Sequence, residues 1–197
     1  MLFRSDGSKT GGAVSLLGEY QDRIRRICFV QDDQFLKTSF WRRISELLKT
    51  KKLPESHLVR LEVTGHFQEV WADPAKSLRL KVISPSAAEN LMAQAEGSQN
   101  PTSAVLILEA REQKIVFSAD SEMSQWRAIH RRAGGNRMKC EILAVPHHAG
   151  QFHSSKKDLD WLFGEALDVG VAVVSVGTTN SYGHPRQDVI SAMTKHG

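Results

Sequence analysis

The segment from Ser103 to Val176 constrains this chain most, because short apolar runs there alternate with amphipathic stretches. Ala104 to Leu108 and Ile115 to Phe117 read as buried strands, followed by an amphipathic helix over Ser121 to Arg132. Two more buried strands are predicted at Ile142 to Val145 and Val171 to Val176, with a helix around Leu159 to Leu167 between them. A last helix is predicted over Gln187 to Thr194. Strands that alternate with helices place the chain in the α/β class. At 197 residues and 41% hydrophobic content it can bury one substantial core, so a single domain over 1–197 is expected.

The first half reads less sharply. Ala13 to Tyr20 is helical, Ile24 to Val30 alternates as a strand, and Thr38 to Thr50 carries Phe40, Ile44, Leu47 and Leu48 at helical spacing before Pro54. Strand-like segments follow at Leu58 to Val63, Phe67 to Trp71 and Leu78 to Ile83, then a polar loop at Glu96 to Thr102. Cys28 and Cys140 lie far apart in apolar contexts with no metal spacing, and read as reduced core thiols of a cytoplasmic protein. No run approaches the roughly 18 apolar residues that span a bilayer, so no membrane partner is expected.

Three polar motifs each follow an apolar strand, which is where binding groups gather at one end of a sheet. Phe117-Ser118-Ala119-Asp120 puts a carboxylate at a helix entry, where it serves as an N-cap or as a ligand. Pro146-His147-His148-Ala149-Gly150 puts two imidazoles after the next strand, and Tyr182-Gly183-His184-Pro185 adds another in a turn. One carboxylate with two or three imidazoles forms the mixed N/O donor set that suits zinc or manganese. Such a site activates water against a phosphodiester or ester. His153, five residues past His148, lies near enough in sequence to join it, whereas His57, His66, His130 and His196 read as surface or packing residues.

In this order the motifs resemble the ComEC competence-type metallo-β-lactamase family, whose pattern runs strand, F-T-G-D, P-H-H-G-S, then Y-G-H-P. Ser118-Ala119 and Ala149 are the departures. The resemblance implies a metallo-β-lactamase-like αββα sandwich lacking its first strands, and a metal-dependent phosphodiesterase ancestry. Asp120 and His148 would be catalytic, and Asp120, His147, His148 and His184 metal ligands. The family's earlier motif, set in register by Gly11-Gly12, falls on Arg4, Asp6, Ser8 and Lys9, of which Asp6 alone can still ligate. Arg4 and Lys9 bring positive charge to where a dication would sit, and even two unit charges at ~4 Å repel by about 4 kcal/mol at an effective dielectric of 20.

The expectation is therefore a degenerate hydrolase holding one zinc or manganese ion at most, its activity weak or lost. Two alternatives stand beside it: a non-catalytic pseudoenzyme or binding module, and a fragment that needs a complementing chain or a second copy to cover its exposed edge and face. Residues 1 to 60 hold 12 Lys/Arg against 7 Asp/Glu, so a nucleic-acid partner would meet the basic N-terminal third.

Overall fold

The computed structural model describes residues 12–20, 22–30, 37–96, 100–177 and 181–197. They fall into two compact units, within 1–61 and 62–197. Arg4, Asp6, Ser8 and Lys9 lie outside the described residues.

In the first unit, helix α1 (Gly12–Tyr20) precedes strand β1 (Ile27–Phe29), helix α2 (Ser39–Lys49) and strand β2 (Leu58–Arg60). β1 and β2 pair in parallel, Ile27 opposite Leu58, so α2 lies in a crossover. Thr38 starts α2 by accepting the Trp41 amide on its hydroxyl at 3.2 Å. The predicted apolar stripe is the one that packs: Ile44 and Leu47 join Leu17, Ile27 and Leu53 in a small core. Both strands are shorter than their apolar runs. Cys28 corrects the expectation of a core thiol, since Ile27 takes the inward position of the two-residue period and leaves Cys28 exposed.

The second unit is a six-stranded mixed sheet in sequential order. β3 (Gln68–Ala72), β4 (Leu78–Ser84), β5 (Val105–Ala110) and β6 (Gln113–Phe117) pair antiparallel, and β7 (Met138–Ala144) and β8 (Leu167–Val173) continue it in parallel. α3 (Ala87–Glu96) follows β4, α4 (Met123–Arg132) links β6 to β7, α5 (Lys156–Trp161) runs through a π turn, Leu162–Ala166, into β8, and α6 (Gln187–His196) ends the described chain. The parallel pairs need such helical crossovers, whereas the antiparallel pair β5 and β6 is joined by two residues.

Side-chain alternation assigns the two faces. Ile107, Val116 and Leu143 stand in register on one face and pack with Trp126 and Ile129 of α4, Leu159 of α5, Leu162 and Phe163 of the π turn, and Val189 and Ala192 of α6. Leu108, Ile115, Ile142 and Val171 form a row on the other face, and Leu106, Phe117, Ala144 and Val173 form a second. Of these, Phe117 is 39%, Val173 47% and Val171 55% exposed. β8 thus corrects the expectation of a buried strand: it begins at Leu167, ends at Val173, and as an edge strand pairs only β7 among the described residues. Cys140 does lie in the core, where burial pushes its thiol up to about 11.

Candidate metal centre

All three polar motifs come off neighbouring strands at the same end of the sheet. β6, β7 and β8 are parallel to one another and in register at Phe117, Ala144 and Val173, so the segments that follow them emerge side by side. Hydrogen bonds then tie these segments together. The Ser118 hydroxyl donates to the Ala144 carbonyl, the His147 amide donates to the Ala119 carbonyl at 2.8 Å, and the Arg186 amide donates to the Ala149 carbonyl at 2.9 Å.

The capping alternative for Asp120 is corrected here. The N-cap of α4 is Glu122, two residues on, whose amide donates to Gln125 Oε1 at 3.2 Å. Asp120 instead faces His148, with Oδ1 3.5 Å from Nε2, and its side chain is 15% exposed against 47% for His148.

The second loop holds an uncommon backbone. His147, His148 and Ala149 are successive left-handed residues, with φ of 51°, 55° and 56°, and Ala119 in the adjoining loop has φ 49°. Each such non-glycine residue costs roughly 1–2 kcal/mol, and costs of this kind concentrate where geometry serves a site. The left-handed run turns both imidazoles toward His184, whose ring centroid lies 5.7 Å from that of His147 and 6.4 Å from that of His148. Tyr182 stacks on His184 at 5.9 Å. Gly150 makes the approach possible, because a Cβ built there would stand 2.3 Å from His184 Cε1 and 2.7 Å from the His147 carbonyl oxygen.

The chemistry of His148 follows from its two partners. Its Nδ1 lies 2.7 Å from the Ser175 carbonyl oxygen, which accepts only, so Nδ1 carries the proton. In a neutral ring Nε2 is then a lone pair facing a carboxylate oxygen across 3.5 Å. Two acceptors so placed want a proton or a cation between them. Ligand distances of about 2.0–2.2 Å to nitrogen and oxygen are compatible with that separation, and a backbone carbonyl that fixes the opposite ring nitrogen is a common support for a ligating histidine. The Nδ1 of His147 is buried and has no hydrogen-bond partner among the described residues, a second donor held ready. Burial, then the neighbouring His147 and His148 imidazoles, holds the His184 pKa below its ordinary value, which favours the neutral, ligating form.

The chain is similar to ComE operon protein 3 of Bacillus subtilis (strain 168). The two are 26% identical over 121 residues, which is 61% of this chain and 14% of that protein. No family model matches the chain, and no solved structure matches it.

The structure brings Asp120, His147, His148 and His184 to one corner, but among the described residues no three His, Cys, Asp or Glu side chains close into a complete metal-binding group. His153, expected within reach, turns instead to Asp188, with Nε2 3.3 Å from Oδ2. His130 packs edge-on against Trp161 and His196 pairs with Asp160, in keeping with packing and surface roles. Two contributors escaped the sequence reading: the Ser175 carbonyl and Gly150. Only Gly150 carried a signal, as a small residue directly after the histidine motif.

Proposed function

We propose that this chain is a degenerate relative of the ComEC-type metallo-β-lactamase hydrolases, that its sheet and covering helices are the later part of an αββα sandwich, and that its strand-end corner takes up a single zinc or manganese ion. The observation that carries this reading is the Asp120-His148 gap, two acceptors held face to face with the far side of the imidazole fixed by Ser175. Family pattern and backbone agree: the two glycines of F-T-G-D and P-H-H-G-S fall on Ala119 and Ala149, both left-handed here. Phe117, Val171 and Val173 exposed on the apolar sheet face support a covering layer, from a second copy or a complementing chain.

Asp120, His147, His148 and His184 would hold the ion, which supplies Lewis acidity toward a phosphodiester or ester. The residues' own part is to orient and to move protons. Ser175 keeps the proton of His148 on Nδ1, Asp120 presents its carboxylate at 3.5 Å from Nε2, and the His148 side chain is 47% exposed, within reach of substrate and water. The basic N-terminal third supports a nucleic-acid diester as substrate, and likeness to a protein of the ComE operon supports a competence-related role. We place the protein in the cytoplasm; among the described residues no helix is long and apolar enough to cross a membrane.

A second reading, a non-catalytic binding module, is favoured by the absence of a closed three-residue donor group among the described residues and by the positive charge of Arg4 and Lys9 in the earlier motif. Elemental analysis after zinc- or manganese-supplemented expression, with hydrolysis of bis(p-nitrophenyl) phosphate and single-stranded DNA, separates the two. Hydrolysis with about one ion per chain, both lost in Asp120→Asn, supports the hydrolase. An ion without turnover supports the binding module, and no ion overturns the metal reading.

A further inference from the structure

The loop that carries His184 is held from below by a polar chain that lies outside the four candidate ligands. The Asp188 carboxylate, at the start of α6, receives the Arg186 guanidinium on both oxygens, Nε to Oδ1 at 3.1 Å and an η-nitrogen to Oδ2 at 2.9 Å. The same Oδ2 faces His153 Nε2 at 3.3 Å, and the His153 side chain is only 3% exposed, with its ring edge against Phe152. The Arg186 amide donates to the Ala149 carbonyl at 2.9 Å. The residue two places beyond His184 is therefore fixed by its main chain to the His147-His148 loop and by its side chain, through Asp188, to the buried His153 of the segment that follows that loop.

The Arg186-Asp188 pair is 42% and 39% exposed, and a pair so exposed contributes little stability of its own. Its value lies in geometry. A forked, two-point contact to a carboxylate that also meets a buried imidazole permits few arrangements. His184 has little room to wander, because Gly150 already sits against its ring.

We infer that Asp188 is a positioning residue: through Arg186 and His153 it sets the His184 imidazole against His147 and His148, and thereby sets the affinity of the corner for a divalent cation. This rests on the reading of the corner as a metal site. Supporting groups of this kind change metal affinity by roughly 10–100-fold when removed.

The test compares Asp188→Asn with Asp160→Asn. Asp160 anchors the far end of the same helix, through Lys195 at 2.8 Å and His196 at 2.8 Å, so its variant also frees α6 but leaves the corner alone. Cobalt(II) titration followed by visible absorption gives affinity and ligand-field spectrum. Nitrogen-15 spectra of the histidine rings in metal-free protein report where the His184 ring sits. The expected result is cobalt affinity about 10–100-fold lower in Asp188→Asn, with an altered spectrum and shifted His184 signals, and Asp160→Asn unchanged. Equal loss in both variants, or wild-type behaviour in Asp188→Asn, overturns the inference. If wild-type protein binds no cobalt, the metal reading has failed, and the inference about positioning stands or falls on the His184 ring signals alone. Arg186→Gln, which keeps the carboxylate at the helix start, carries the same comparison if Asp188→Asn does not fold.

Discussion

Substitution of Gly150 by alanine puts one methyl group where the three-loop corner has no room. The new Cβ would stand 2.3 Å from His184 Cε1 and 2.7 Å from His184 Nδ1, with the His147 carbonyl oxygen also 2.7 Å away. Ordinary carbon contacts begin about 1 Å farther out, so either the imidazole or the His147 backbone must give way by about that much. The Gly150 backbone itself, at φ −87° and ψ −154°, is extended and open to alanine, so the effect is steric rather than conformational. Overpacking of this kind costs typically about 1–3 kcal/mol, which for a chain of this size lowers the melting temperature by roughly 2–12 °C. On the proposed metal reading, a His184 ring moved by about 1 Å exceeds the ~0.5 Å tolerance of a binding site, and cobalt affinity should fall by about tenfold or more. Differential scanning calorimetry and cobalt(II) titration on wild type and Gly150→Ala supply both numbers. A variant that melts within about 1 °C of wild type and binds cobalt equally would refute the close approach of His184 to the histidine loop.

Three further outcomes follow from the same structure. Ala119→Gly relieves a left-handed alanine at φ 49°; the relief of roughly 1–2 kcal/mol, less glycine's added unfolded-state entropy of about 0.5–1, leaves a gain of up to about 1.5 kcal/mol, seen as an equal or higher urea midpoint, and a lower one contradicts the strain. Asp160 is held down to about 2, first by Lys195 and then by His196, so the stability it contributes is present above about pH 3.8 and is lost as pH falls toward 2; Asp160→Asn should flatten that acid limb in melts at stepped pH, and an unchanged limb counts against it. Burial first, and then His147 and His148, depresses the His184 pKa below 6.5, so its contribution is present above that value and is lost as pH falls through the lower folded value; His184→Gln should weaken the fall in melting temperature between neutral and mildly acid pH, and an identical slope would contradict the assignment.

The strands and helices that can be read from sequence are those whose burial is decided by period alone. β5, β6, α4 and α6 lie where the apolar pattern puts them, because each offers one face to a single core. α3 was not legible: Leu91 is 68% and Met92 64% exposed, while Ala93 and Asn90 are buried, so its apolar residues do not mark its inner face. β8 was legible as a strand but not as an exposed edge, since a run of valines reads alike whether or not a neighbour covers it. At the candidate corner, residue types and strand-end placement pointed to Asp120, His147, His148 and His184, which the structure brings near one another. The fate of His153 was hidden, because its pairing with Asp188 spans 35 residues and depends on how α6 returns to the sheet. The Ser175 carbonyl that fixes the His148 ring is hidden for the same reason, being a backbone contact across 27 residues.

The proposed metal site is the Asp120-His148 gap, with His147 and His184 beside it, taking up one divalent cation. Isothermal titration of metal-free protein with zinc tests it most directly, run beside Asp120→Asn and His184→Ala. Wild type should bind about one ion per chain, with affinity lowered by at least about tenfold in each variant. Binding that is absent from wild type, or that survives unchanged in both variants, would contradict it.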